Sequence, residues 1–254
     1  MMPDALQEYF ASNQDLLWLL TLTLDLGLTV LMYRLFGKEG LLGCIVLSIL
    51  LANLQGPKLT IILGFQTTLG VIFYSSIFFA TDLMSERYGR AEATKAVLIG
   101  FAVSCIIVVM LSIALLFAPS NRPETAVFSQ NIQSAFETIL NFTPRFVFGS
   151  LLAYLLSQSL DVWLFHRIKA ATAGRHLWLR NNLSTITSQA IDTLIYSLVV
   201  WWGVVDLQTA IQLGLVKYGF KVAIAAIDTP FIYWARTWKH AEPIAPDSVL
   251  PDQR

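Results

Sequence analysis

The amino-acid sequence predicts an all-α protein, a polytopic bundle of transmembrane helices. Hydrophobic residues make up 56% of the 254 positions and charged residues only 13%, whereas roughly a quarter of a soluble domain is charged. The mean hydropathy is +0.62. Seven apolar runs approach the length that a helix needs to cross the hydrocarbon core. Most basic residues also fall on one side of a seven-span arrangement, as is typical of membrane proteins.

The predicted spans cover residues 16–34, 41–54, 61–80, 96–117, 146–165, 183–204 and 212–234. The first follows an acidic segment without Lys or Arg, so we interpret it as a retained helix and not as a cleavable signal peptide. The second is short and ends at Gly56 and Pro57, a pair that breaks a helix. Because non-helical backbone at membrane depth is tolerated only against protein or a cavity, we expect this break to face one of these.

Two segments outside the spans have their own patterns. Between the fourth and fifth spans, Phe128, Ile132, Phe136 and Ile139 recur at helical spacing among polar residues. This pattern predicts an amphipathic helix that lies on the outer surface or caps a cavity mouth. The polar, Pro-rich tail 239–254 is predicted to be disordered.

The distribution of basic residues predicts the orientation in the membrane. Only Lys58, Arg122, Arg145 and Lys217 lie on or close to one side. The other side carries Arg34, Lys38, Arg87, Arg90, Lys95, Arg167, Lys169, Arg175, Arg180, Arg236 and Lys239. By the positive-inside rule, the N-terminus is outside and the C-terminus is cytoplasmic.

The sixth span carries a stripe of polar side chains. Its members recur at offsets of three, one, three and four and so share one face of a helix: Thr185, Ser188, Gln189, Asp192 and Tyr196. A polar stripe in a bilayer faces the bundle or a cavity. Hydroxyl groups alone would serve equally well to join helices, but an amide beside an intramembrane carboxylate favours a functional site.

Polar pairs occur in two other spans. Gln158 and Asp161 repeat, in the fifth span, the amide and carboxylate of the sixth at the same spacing. Asp82 and Glu86 share a face at the end of the third span. An ordinary charged helix end at the membrane surface is the alternative interpretation of that second pair.

The last span contains two lysines and a carboxylate that can share one face. Lys217, Lys221 and Asp228 are separated by four and seven positions. Lys221 is too deep to be left unpaired, so we expect it to meet Asp161, Asp192 or Asp228 inside the bundle. A purely structural ion pair is the alternative to a role in binding.

These residue types suit a flat, nitrogen-containing ring. Amides and carboxylates offer acceptors, or a donor beside an acceptor, to a heterocycle with paired N–H groups and a carbonyl. Phe65, Tyr74 and Tyr154 are candidates to stack on such a ring. The pattern fits a nucleobase-like solute and leaves an amide or an amino acid open.

Signatures of enzymes and cofactors are missing from the sequence. His166, His176 and His240 have no metal-ligand spacing, and Cys44 and Cys105 lie in apolar runs as packing residues. There is no nucleophile elbow and no phosphate-binding loop. An intramembrane aspartyl protease would need a Gly-flanked aspartate that the chain lacks. With a formal net charge of zero and no basic block, nucleic-acid binding is not predicted.

Five segments together carry a family resemblance. They are, in order, "LGFQTTLG" leading into "FFATDLMSERYGR", "AYLLSQSLDVWLFHRIK", "WLRNNLSTITSQAIDT" and "YGFKVAIAAIDTPFIY". In this order they resemble the queuosine precursor transporter family, over about residues 43 to 234.

The resemblance implies import of 7-cyano-7-deazaguanine, 7-aminomethyl-7-deazaguanine or both across the bacterial inner membrane, for tRNA modification. The family's six-helix core is similar to the substrate-binding subunits of energy-coupling-factor vitamin transporters. Mapped here, residues 1–40 are a tail and an additional N-terminal span, residues 41–238 are the six-helix core and residues 239–254 are the cytoplasmic tail.

The resemblance and the polar pattern together predict a site that reads the edge of a guanine-like base. Carboxylates would accept its N–H donors, and a side-chain amide would donate to its carbonyl. The candidate substrate-binding residues are Asn53, Phe65, Thr67, Asp82, Glu86, Gln158, Asp161, Asn182, Ser188, Gln189, Asp192 and Lys221.

Other functions stay open at this point. A vitamin or other nucleobase transporter subunit is the alternative of the same type, and a membrane enzyme or a helper subunit belongs to a different class. Energy coupling is open between a proton-coupled carboxylate, facilitated diffusion with trapping, and a partnered energy-coupling module. Beyond a small-molecule substrate and membrane lipids, the sequence implies no partner and no cofactor.

Overall fold

A computed structural model describes residues 4–56, 58–140, 144–201 and 206–238. The elements are α1 (Asp4–Ser12), α2 (Gln14–Gln55), β1 (Leu59–Ile62), β2 (Phe65–Thr68), α3 (Val71–Ala114), α4 (Ala126–Leu140), α5 (Pro144–Ala171), α6 (Leu177–Tyr196) with a π-helical turn (Ser197–Trp201), and α7 (Leu207–Arg236). Four of these helices are long and apolar enough to cross a membrane, namely α2, α3, α5 from Val147 onwards, and α7. The all-α membrane bundle is confirmed.

Each of the two longest helices consists of two segments that meet at a glycine. The backbone leaves helical geometry at Gly37 (φ 58°, ψ −130°) in α2 and at Gly89 (φ 85°, ψ 178°) in α3. A straight helix of this length would measure about 65 Å, twice the hydrocarbon thickness. In α2 the chain doubles back at this break and brings the backbone of Gly40 so close to Met32 that a Cβ at Gly40 would lie 2.2 Å from the Met32 oxygen.

A short hairpin replaces the first half of the predicted third span. Residues 61–80 were expected to form one helix, but β1 and β2 pair antiparallel, and α3 begins only at Val71. The loop residues Leu63 and Gly64 both have positive φ, which is the geometry of a tight hairpin turn. The carboxylate of Asp15 accepts a 2.7 Å hydrogen bond from the Leu63 N–H, which ties the hairpin to the start of α2.

The first segment of α3 is the centre of the bundle. Every residue from Val71 to Gly89 is buried except Tyr74 and Arg87. The second segment of α2 ends at Gln55, so the predicted break after it is confirmed. Surrounding α3 are α2, α5 and α7, with α6 packed between α5 and α7.

The first segment of α2 is tied to this bundle by specific contacts. Asp25 accepts a hydrogen bond from Ser76 of α3. The indole of Trp18 packs edge-on against Phe220 of α7, with ring centroids 5.5 Å apart.

The predicted amphipathic helix between the fourth and fifth spans is confirmed as α4. Its apolar side chains are exposed, with Phe128 at 70% and Phe136 at 45% of full accessibility. The tail predicted to be disordered, residues 239–254, lies outside the described residues.

Candidate substrate-binding site

A cavity of about 110 Å³ opens between the hairpin and six helical segments. Its wall includes the ends of α2 and α6, the first halves of α5 and α7, the start of α3, and the second segment of α3. The polar or aromatic side chains on this wall are Asn53, Thr68, Tyr74, Ser104, Ser150, Tyr154, Asp192, Tyr196 and Lys217.

A hydrogen-bonded network centred on Asp192 borders the cavity; we call Tyr74, Ser157, Asp192 and Lys221 the floor network. Lys221 donates to Oδ2 of Asp192, while Oδ1 accepts from the Tyr74 hydroxyl at 2.5 Å and from Ser157 at 3.3 Å. The Lys221 ammonium also lies 4.5 Å from the centroid of the Tyr74 ring. The expected pairing of Lys221 with an aspartate is therefore confirmed, and Asp192 is the partner.

One to two helical turns from the floor network, away from the cavity, lies a second polar set. We call it the middle layer: Thr81, Asp82, Gln158, Asp161, Thr185, Ser188 and Gln189. Thr185 donates to Asp82 at 3.0 Å, and Ser188 donates to Asp161 at 2.9 Å. The polar stripe of α6 therefore faces the two carboxylates of α3 and α5.

The middle layer has more polar atoms than the described residues satisfy. Both amide atoms of Gln189 lack a hydrogen-bonding partner there, and so does Nε2 of Gln158. The same holds for Oδ1 of Asp82 and Oδ2 of Asp161. All four side chains are at most 1% exposed. Since buried polar groups are normally hydrogen-bonded, such a concentration at one level of the bundle is typical of a ligand site.

Gln158 is held in place by its other amide atom. Its Oε1 accepts a 3.1 Å hydrogen bond from Thr81, the neighbour of Asp82 in the chain. The carboxamide is thus fixed against α3 at the level of the carboxylates, with its N–H donors unused. Donors from an amide and acceptors from two carboxylates therefore lie at the same depth.

A third polar group, the inner cluster, surrounds Glu86. Its carboxylate contacts Arg180 at 2.7 Å, Arg236 at 3.4 Å and Lys169 at 3.5 Å. Arg180 is fully buried and also donates to the backbone oxygens of Gly174 and Arg175. Glu86, a predicted substrate-binding residue, lies here and not in the middle layer.

Several predicted residues lie at the edge of these sets. Asn53 is on the cavity wall, although its amide donates to the Ile49 carbonyl at 2.9 Å. Thr67 is buried in β2, whereas Phe65 is 57% exposed and outside the cavity wall. Asn182 donates to Thr229 at 2.7 Å and so joins α6 to α7.

The sequence did not reveal two of these roles. Tyr74 was expected only as a stacking ring, but its hydroxyl contacts the carboxylate of a residue 118 positions away. Arg180 was counted only as a basic residue on the cytoplasmic side and is fully buried. Asp25, an intramembrane carboxylate in the first span, is bound by Ser76 and lies outside the three polar groups.

Comparisons with known proteins identify relatives of this chain. A family model described as "Putative vitamin uptake transporter" matches residues 68–235. A relative from Bacillus subtilis (strain 168), named "Probable queuosine precursor transporter", is 37% identical over 220 residues, which cover 86% of this chain and 93% of the relative. The chain belongs to the queuosine precursor transporter family.

Two further family members are more distant. The "Queuosine precursor transporter" of Escherichia coli (strain K12) is 29% identical over 169 residues, or 65% of this chain and 71% of the relative. A "Probable queuosine precursor transporter" of Haemophilus influenzae is 26% identical over 170 residues, or 65% of this chain and 66% of the relative. No solved structure matches the chain.

The region that matches the family model begins in β2 and ends in the last turn of α7. It contains the floor network, the middle layer and the inner cluster except for Arg236, which lies one position beyond its end. Both segments of α2 precede it.

Proposed function

We propose that the chain imports queuosine precursors, 7-cyano-7-deazaguanine, 7-aminomethyl-7-deazaguanine or both, across the bacterial inner membrane for tRNA modification. The observation that carries this proposal is the middle layer of a membrane bundle, in which two amides and two carboxylates have donors and acceptors that no described residue binds. The names of the relatives support the same substrate class. The chain acts as a carrier and not as an enzyme.

The unused atoms complement the edge of a guanine-like base. Such a base presents a ring N–H and an exocyclic amino group as donors, next to a carbonyl acceptor. Asp82 and Asp161 would accept from the two donors, and Gln158 or Gln189 would donate to the carbonyl. An adenine-like ring reverses this pattern and would leave buried groups unpaired, at a cost of roughly 1–3 kcal/mol for each mismatch.

Binding requires the floor network to open. The cavity of about 110 Å³ is smaller than the roughly 150 Å³ cavity that holds a single benzene ring, so a two-ring base needs more room. The Tyr74 hydroxyl and the Lys221 ammonium both contact Asp192 between the cavity and the middle layer. We infer that the base enters from the cavity and displaces the Tyr74 contact to reach Gln189.

The helical segments fit a seven-span arrangement. The breaks at Gly37 and Gly89 divide α2 and α3 into four segments, and α5, α6 and α7 supply three more. In this proposal the first segment is the additional N-terminal span and the other six are the core. The N-terminus is outside, the C-terminus is cytoplasmic, and α4 lies on the outer surface.

This orientation assigns the cavity to the outer half of the membrane. The inner cluster, with three cations around Glu86, then lies at the cytoplasmic end. The bundle is open towards the side from which a precursor arrives and closed by ion pairs on the other. Energy coupling by a partner module is compatible with this arrangement but is not required by it.

Vitamin uptake is the second candidate function, because it is the description of the matching family model. The two candidates differ in the ligand that the middle layer accepts. Uptake of labelled precursor and of labelled vitamins, measured side by side, separates them, since each carrier takes up only its own ligand.

The queuosine content of tRNA tests the proposed function. The host lacks precursor synthesis and its own importer, receives this gene, and grows with a low concentration of precursor. We expect queuosine to appear in tRNA with the wild-type chain and to fall to the background level with Gln189→Met at equal expression. If no queuosine appears while the protein is present in the membrane, the proposed substrate is wrong.

A further inference from the structure

The carboxyl groups of Asp82 and Asp161 face each other at the centre of the bundle. They belong to α3 and α5, are at most 1% exposed, and lie within hydrogen-bonding reach of each other. Two ionised carboxylates cannot hydrogen-bond to one another, because both are only acceptors. When such a pair shares a buried site, one proton is held between the two groups.

The hydrogen bonds from α6 leave one oxygen of each group for that proton. Thr185 occupies Oδ2 of Asp82, and Ser188 occupies Oδ1 of Asp161. The remaining oxygens, Oδ1 of Asp82 and Oδ2 of Asp161, have no other donor among the described residues. These are also the oxygens that the proposed function assigns to the N–H groups of the base.

Among the described residues, the charged groups around the pair do not supply a compensating cation. From α7, Asp228 adds a third carboxyl group, which Asn181 of α6 binds at 2.9 Å. Lys221 of the same helix is committed to Asp192. The cations near the inner end, Lys169, Arg180 and Arg236, contact Glu86 one turn further along α3.

A proton fits this site better than a metal ion does. The described residues include no group of three or more His, Cys, Asp or Glu side chains arranged to hold a metal. A shared proton removes one negative charge from a buried pair without demanding further ligands. Intramembrane carboxylates that bind protons are a common means of coupling in transporters.

We propose that Asp82 and Asp161 hold one shared proton in the empty carrier, and that a bound base displaces this proton. The coupling rests on the proposed function, because the base is its ligand. When the two N–H groups of the base donate to the free oxygens, the proton leaves to water and both carboxylates become ionised. No covalent bond to carbon changes, and one proton is released for each base that binds.

Infrared spectroscopy of the purified protein in lipid at neutral pH tests the shared proton without any ligand. The infrared band of protonated carboxyl groups should lose the same component in Asp82→Asn and in Asp161→Asn. Asp25→Asn is the matched control, since Asp25 is another intramembrane carboxylate that is bound by Ser76 away from the pair. If neither Asp82→Asn nor Asp161→Asn lowers the intensity of this band, the two groups do not share a proton.

Calorimetry tests the displacement. Binding of 7-cyano-7-deazaguanine is measured in two buffers of different ionisation enthalpy, and the difference in heat counts the protons released. We expect about one proton for the wild type and for Asp25→Asn, none for Asp82→Asn, and an affinity that rises about tenfold for each pH unit while the pair is protonated.

The possible results separate the two proposals. Binding with equal heats in both buffers would refute the proton displacement and leave the proposed function standing. A folded wild-type protein that binds no 7-deazaguanine base would refute the proposed function, and the displacement with it, while the infrared result still decides whether the pair shares a proton. Thermal unfolding curves identify any variant that fails to fold, and Asp161→Asn then replaces Asp82→Asn.

Discussion

Replacing Gln189 by methionine should make the protein more stable and less active at the same time. Gln189 is 1% exposed, and neither of its amide atoms has a partner among the described residues. Methionine has a similar length and no strong polar atom. Because an unsatisfied buried polar group costs about 1–3 kcal/mol, we expect the free energy of unfolding to rise by at least about 1 kcal/mol.

The same substitution should weaken binding of the base. A base group that loses its partner in the buried site costs about 1–3 kcal/mol, and each 1.4 kcal/mol corresponds to about tenfold in affinity. We therefore expect the affinity to fall about tenfold to hundredfold for each hydrogen bond that Gln189 makes to the base. Thermal unfolding in detergent and uptake of labelled precursor measure the two effects separately.

The control is Thr187→Val on the same helix. Thr187 is exposed on the face of α6 that points away from the bundle, and its hydroxyl donates to the backbone oxygen of Leu183. Its substitution should change neither stability nor uptake by much. The reasoning would be refuted if Gln189→Met carried the precursor at the wild-type rate, or if it unfolded more easily than the wild type.

Three further sets of substitutions test other parts of the structure. Asp192→Asn and Lys221→Met should each cost about 3–5 kcal/mol of unfolding free energy, because each leaves a buried charge unpaired. The double variant should recover much of that loss. Additive costs would contradict the ion pair. Glu86→Gln should destabilise the protein strongly, since it leaves three cations facing one another. Its control is Glu92→Gln, which removes a partly exposed pair with Lys38 and should cost at most about 1 kcal/mol. Equal losses of unfolding free energy in the two variants would refute the inner cluster. Gly89→Ala should lower the free energy of unfolding by about 1–3 kcal/mol, because φ 85° with ψ 178° is accessible almost only to glycine. An unchanged free energy of unfolding would contradict the break in α3.

The pairing of Lys221 with Asp192 changes how mutants of the site should be interpreted. Loss of uptake in Asp192→Asn alone does not distinguish a binding residue from a structural one, since the variant also leaves the Lys221 ammonium without its carboxylate. Gln189 has no such partner among the residues that the structure describes. A substitution at Gln189 therefore reports on the ligand more cleanly.

The helical bundle and the polar face of α6 were predictable from the sequence because both depend on local patterns. Composition identifies the bilayer as the solvent, and helical spacing places Thr185, Ser188, Gln189 and Asp192 on one face. The depth of Lys221 was enough to predict that it pairs with an aspartate. In each case the prediction used only the sequence pattern of a single helix.

The hairpin and the long-range contacts could not be predicted in the same way. Residues 59–68 are apolar enough to resemble part of a span, but the positive φ at Leu63 and Gly64 turns them into two strands. Oδ1 of Asp192 accepts from Tyr74, and Asp82 accepts from Thr185, across more than 100 positions of sequence. Which partners meet is decided by packing of the helices, and spacing along one helix carries no information about it.

Uptake of labelled 7-cyano-7-deazaguanine into liposomes that contain only this purified protein tests directly whether the middle layer recognises a guanine-like base. We expect protein-dependent uptake that excess unlabelled 7-deazaguanine base abolishes and that an adenine-type base leaves unchanged. Gln189→Met should lower this uptake, and Thr187→Val should not. Uptake that is equally inhibited by both kinds of base, or that survives Gln189→Met unchanged, would contradict the claim that the middle layer reads the edge of a guanine-like base.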